Sequence, residues 1–137
     1  MMIRVAVMAD VPHLVRMGIA FLRHSPYGAM FVENPSQMEA LASHLIAGAQ
    51  SDFLVVDVGD RLVGMIGLVA YPHFISGQAM AGEVVYWVDE DARGAGVRLL
   101  KAAEQWGRDH GAAFMQMVSP SARIDQFYTR LGYAPVE

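Results

Sequence analysis

A chain of 137 residues, 54% hydrophobic and 18% charged, is long enough to bury a core and too apolar for disorder. It has no cysteine, which excludes disulfides and thiolate chemistry, and its net charge of -4 comes without a basic run, which argues against nucleic acid as a partner. The longest strongly apolar run, 62–71, is too short for a bilayer, and Met1-Met2-Ile3-Arg4 lacks a signal-peptide pattern. The expectation is one soluble, cytoplasmic domain over residues 1–137, with no membrane association.

Residues 3–8 alternate imperfectly and read as a short strand. Asp10 is placed to cap a helix with Pro12 in its first turn and Val11, Leu14, Val15, Gly18, Ile19 and Leu22 on its apolar face. An irregular segment follows, from His24 to Asn34; His24, Tyr27 and Phe31 are candidates to line a ligand pocket, against the plainer reading of a packed connection. A second helix starts near Asn34, with Pro35 early and a capping box from Ser36 to Glu39. Its stripe is Met38, Leu41, Ala42, Leu45, Ile46 and Ala49. Residues 53–58 and 62–70 form a hairpin around Gly59-Asp60-Arg61. Gly64 and Gly67 interrupt its second strand and suggest a bulge or a close backbone approach. A loop, 73–80, leads to the apolar run 84–88 and the acidic turn Asp89-Glu90-Asp91.

The period then becomes helical. Leu99, Leu100, Ala103, Trp106 and His110 share one face of a helix over 97–110, and Gly111 stands just past its end. Residues 113–118 read as a strand. Ser119-Pro120-Ser121 opens a last helix with Ile124, Phe127, Tyr128 and Leu131 on one face, ended by Gly132, and 133–137 is extended. An antiparallel meander followed by one strand–helix–strand crossover implies a mixed sheet.

Between the fourth strand and the third helix lies Arg93-Gly94-Ala95-Gly96. The first amides of a helix have no internal partner and carry the positive end of its dipole, and glycines let an anion approach them, so a phosphate is the natural occupant. Two nucleotide patterns fail here. A dinucleotide fingerprint needs a third glycine where Leu99 stands, and a P-loop needs Gly-Lys-Ser/Thr where the chain has Gly96-Val97-Arg98.

That order of elements, with Arg93-Gly94-Ala95-Gly96 after the fourth strand and Phe127-Tyr128-Thr129-Arg130-Leu131-Gly132-Tyr133 near the end, resembles the GNAT superfamily of acyl-CoA-dependent N-acyltransferases over essentially the whole chain. The resemblance implies an α/β fold with a mixed, mostly antiparallel central sheet flanked by helices. It implies acetyl-CoA as co-substrate, its pyrophosphate on the glycine-loop amides and its pantetheine arm in a V between the fourth and fifth strands. It makes Tyr128 the acid that protonates the departing thiolate and Glu83 the base, directly or through water. Trp87 and Val88 supply backbone amides to the thioester oxygen. Arg93, Gly94, Ala95, Gly96, Val97, Arg98 and Ser121 complete the cofactor-binding set. No metal is implied.

The chain departs from the family pattern in three places. Arg98 or Asp91 takes a position the family keeps small or basic, depending on how the loop is aligned. Ser121 replaces an asparagine often found at the start of the last helix. Members usually carry another strand after the Gly-Tyr segment. An uncovered sheet edge invites another chain, so a homodimer is expected, burying apolar residues around Phe114, Met115, Met117 and Tyr133; a tail folded over its own edge is the alternative. The implied reaction is transfer of an acetyl group to a primary amine by direct attack in a ternary complex. Net charge mildly favours a cationic acceptor such as a polyamine or aminoglycoside. Two rivals stay open: a non-catalytic acyl-CoA sensor or interaction module, and a nucleotide-binding domain.

Overall fold

The structure is a computed structural model that describes residues 1–92, 94–119 and 121–136. Five strands run in the spatial order β1 (Met2–Val5), β2 (Ser51–Asp57), β3 (Leu62–Pro72), β4 (Ala79–Val88) and β5 (Phe114–Gln116). The first three pairings are antiparallel and the last, β4 with β5, is parallel. Helices α1 (Val11–His24) and α2 (Pro35–Ala47) cover one face, and α3 (Ala95–Asp109) covers the other. The short α4 (Ala122–Arg130) follows β5. No described helix is long and apolar enough to cross a membrane.

Strand alternation divides the core in two. On β2, Phe53 and Val55 pack with Leu14, Met17 and Leu45 from α1 and α2, while Leu54 and Val56 pack with Leu99, Ala103 and Trp106 from α3. A helix stripe and a strand face are each stable only when buried against one another, and both faces of this sheet are so covered. Gly67 sits beneath the Phe53 ring, where an added Cβ would come within 3.0 Å of it, so here the backbone itself is the packing surface.

Several local expectations need correction. Asp10 does not cap α1: its carboxylate accepts from Arg4 at 2.8 and 3.0 Å and from the Val7 amide at 2.8 Å. The cap of α2 is Asn34, which accepts from the Gln37 amide at 3.1 Å, and Ser36 lies inside the helix. The fourth strand begins at Ala79 and not near 84, because its first half pairs with the end of β3. No strand is found among the described residues 133–136. The glycine stops behave as expected, with Gly111 and Gly132 at φ 75° and 91°. After α4 the amides of Gly132 and Tyr133 donate to Thr129 and Tyr128, a Schellman closure that folds Tyr133 back to a ring-centroid distance of 5.4 Å from Tyr128.

Candidate active site at the fork between β4 and β5

Two features of β4 build the site. The first is a bulge. Gly67 faces Val85 and Leu68 faces Glu83, so Val84 has no partner on β3. One extra residue reverses the side-chain alternation. Ala81 lies on the α3 side before the bulge, and Tyr86 and Val88 lie on it after. Glu83, odd-numbered like Ala81, therefore shares a face with Tyr86 and Val88. The second feature is a fork. β5 pairs with β4 only from Met80 to Gly82, and beyond that the two parallel strands part. The Glu83 carboxylate sits at the crotch and accepts from the Val118 amide at 2.9 Å.

The fork opens into a cleft of ≈ 300 Å³ whose walls come from both sides of the sheet. Glu83, Val84, Tyr86 and Val88 belong to β4, Val118 to the segment after β5, and Ile124, Phe127 and Tyr128 to α4; Phe21 and Tyr27 approach from the α1 side. A second cavity of ≈ 460 Å³ between α1, α2 and the loop joining them shares Phe21, Tyr27 and Val84 with the first.

Three ionisable groups in the cleft are displaced from their ordinary behaviour. Burial pushes the Glu83 carboxyl up, partly opposed by the Val118 amide. No described cation pairs with it, so it is a carboxyl with raised proton affinity, the property a base needs against an ammonium. Burial pushes the Tyr128 phenol up, and the Glu83 charge adds to this. Tyr128 is only 7% exposed, and its hydroxyl, which meets the cleft, has no hydrogen-bond partner among the described residues. Tyr86 is likewise raised by burial and by Glu83, and its hydroxyl donates to the Gly96 carbonyl.

That last bond ties the fork to the start of α3. Gly94 is the N-cap and offers no side chain, so the amides of the first turn, Ala95 to Val97, are left to another acceptor. A Cβ on Gly94 would meet nothing within 4 Å, so the approach is open; one on Gly96 would touch the Tyr86 hydroxyl at 3.4 Å. The preceding acidic turn would repel an anion, but it is tied down. Asp89 accepts from Arg16 at 3.0 Å and from the Trp87 indole at 2.8 Å, and Asp91 accepts from Arg61 at 2.8 Å.

The other candidates fall as follows. Val88 lines the cleft, whereas the Trp87 side chain turns to the α1 face, leaving only its backbone toward the fork region. Arg98 is exposed on the first turn of α3, and Arg93 lies outside the described residues. Ser121 is the N-cap of α4 and accepts from the Ile124 amide at 3.3 Å. Tyr27 lines both cavities and Phe31 the second. His24 lines neither: its ring packs on Trp87 at 5.3 Å and its Nδ1 is held by the Ala20 carbonyl. Sequence reasoning missed Tyr86, Phe21 and Val118. A tyrosine inside an apolar strand run reads as core, and strict period-2 counting puts it opposite Glu83.

The sequence model of the acetyltransferase (GNAT) family matches residues 19–133. Among curated proteins none matches the chain. Several solved structures share the fold. A transcriptional regulator from Bacillus halodurans C-125 is 20% identical, with a TM-score of 0.83 over 99% of this chain and 94% of its own. A ribosomal-protein-alanine N-acetyltransferase from Brucella melitensis biovar Abortus 2308 is 15% identical, with a TM-score of 0.75 over 100% and 95%. An aminoglycoside acetyltransferase from an uncultured soil metagenomic sample, in complex with sisomicin, is 15% identical, with a TM-score of 0.73 over 99% and 90%. At these identities the likeness is one of fold.

Proposed function

The chain belongs to the acetyltransferase (GNAT) family, whose members transfer acyl groups, and from that premise we propose that it moves an acetyl group from acetyl-CoA to a primary amine. The observation that carries the reading is the convergence, at one fork, of the Glu83 carboxyl, which burial pushes up, and a phenol that meets the cleft with no hydrogen-bond partner among the described residues, beside the first turn of α3. The pyrophosphate would lie on the first-turn amides of α3 and the pantetheine arm along the unpaired edge of β4. Backbone amides around Trp87 and Val88 would receive the thioester oxygen as it gains charge.

The proton ledger closes. An alkylammonium gives one proton to Glu83 and its nitrogen attacks the thioester carbonyl; a C–N bond forms. As the tetrahedral intermediate collapses the C–S bond breaks, and the sulfur leaves with a hydrogen bond, and finally a proton, from Tyr128. The second proton lost by nitrogen restores Tyr128, and Glu83 releases its own to water. The products are an amide, the CoA thiol and one proton. The two side chains are coupled: the Glu83 charge helps to hold the phenol proton, so once Glu83 has taken a proton, Tyr128 becomes the better acid. Initial velocities with both substrates varied test direct attack. Intersecting lines are expected; parallel lines would mean an acetyl-enzyme and remove this mechanism.

We also propose a homodimer. β5 has no outer neighbour among the described residues, and Phe114 on it and Val118 just after it are 57% and 51% exposed. Light scattering over a dilution series is the check, and a monomeric mass at every concentration would rule the dimer out.

A further inference from the structure

The acceptor cavity carries a chemical preference, and it runs against the one that net charge suggests. Resting on the acyl-transfer reading above, we infer that the acceptor is a monoamine bearing an aromatic or branched aliphatic body, and not a polyamine or an aminoglycoside. The ≈ 460 Å³ cavity meets the fork at Phe21, Tyr27 and Val84, so a molecule seated there presents one end near Glu83. Its walls are largely apolar, with Phe31 and Val32 from the loop, Met38 and Leu41 from α2, and Phe21 from α1. A cavity of this size holds a small ligand.

What the walls lack matters as much. Among the described residues no carboxylate lines the second cavity, and Glu83 is the only one that lines the first. The acidic residue of the loop, Glu33, pairs with Arg23 through two contacts and lines neither cavity. The polar groups on offer are neutral. Asn34 spends its carbonyl oxygen on the cap of α2, and Gln37 is an amide. A second or third ammonium on the acceptor would therefore lose water without gaining a counter-charge, a penalty that rejects polycations. An apolar body loses little and covers Phe31 and Val32, which are 58% and 91% exposed.

The test is a panel at saturating acetyl-CoA, following CoA thiol release with phenethylamine, 3-methylbutylamine, ethanolamine and spermidine. The first two should exceed the last two in kcat/KM by about 10–10²-fold, the discrimination an apolar pocket gives for a few buried carbons. Phe31→Ala, at an exposed loop position that folding does not depend on, should raise KM for phenethylamine several-fold and leave KM for acetyl-CoA unchanged. Spermidine or ethanolamine acting as well as phenethylamine would overturn the inference and leave acyl transfer standing. So would hexanoyl-CoA outpacing acetyl-CoA with ethanolamine, which would give the cavity to the acyl chain of the donor. No thiol release with any amine, together with no heat of CoA binding, would remove the parent reading as well.

Discussion

Replacing Glu83 by glutamine isolates the charge from the shape. The amide keeps an oxygen to accept from the Val118 N–H, bonded at 2.9 Å in the wild type, so the fork should hold. What goes is the proton acceptor. Loss of a positioned general base costs about 10²–10⁴-fold, or about 3–5 kcal/mol on the barrier. The pH dependence has a definite sign. Burial raises the Glu83 carboxyl, so its basic form is lost, and turnover falls, at a higher pH than an ordinary carboxylate would dictate. For stability, a raised folded-state value means the native protein binds the proton more tightly than the unfolded chain. Its contribution is therefore full at low pH and lost as pH rises through the window above the ordinary value. Glu83→Gln should remove that slope and be at least as stable as the wild type at neutral pH. The assay is kcat/KM against pH on both forms, with thermal melts alongside. Wild-type turnover in the variant where chemistry limits the rate, or an unchanged acid limb, would refute Glu83 as the base.

Tyr128→Phe keeps the ring against Phe127 and Tyr133 and removes one hydroxyl; turnover should drop about 10–10³-fold with acetyl-CoA affinity held, and an unchanged rate would assign Tyr128 to packing. Gly96→Glu places a carboxylate beside the Tyr86 hydroxyl and the first amides of α3, so calorimetry should show CoA binding weakened; equal affinity in a folded variant would move the pyrophosphate elsewhere. The Arg4 guanidinium holds Asp10 below the usual carboxylate range, so this pair adds stability that is full above that range and lost as pH falls through the lowered value. Asp10→Asn should cost about 1–2 kcal/mol at neutral pH, the worth of a charge-assisted hydrogen bond partly screened by solvent on the Arg4 side, and should flatten the acid end of the stability curve; an unchanged melt would discount the pair.

The helix faces were legible because burial stripes repeat in sequence: Leu99, Leu100, Ala103 and Trp106 are all buried, and Gly111 and Gly132 stop their helices with positive φ. The Tyr128 and Glu83 candidates came from the family resemblance. What the sequence hid was the bulge at Val84. A bulge is a property of the pairing between two strands, and neither strand shows it alone; Gly64 and Gly67 hinted at it on β3, but the extra residue is on β4. Without it Glu83 and Tyr86 fall on opposite faces, and the site cannot be assembled on paper. The caps misled for a related reason. Asp10 and Ser36 satisfy local rules, but Arg4 claims the first, and Asn34 begins the helix before the second. The second cavity was equally out of reach, since its walls come from positions as distant as Gly18 and Val85.

The central claim, that the fork is a place where acetyl-CoA is consumed, is tested most directly by measuring CoA thiol release by the purified chain with acetyl-CoA and an apolar primary amine, beside Tyr128→Phe and Glu83→Gln. Amine-dependent, stoichiometric thiol release that falls in both variants is the result predicted. Tight acetyl-CoA binding with no amine-dependent release would contradict it and make the fork the seat of a sensor.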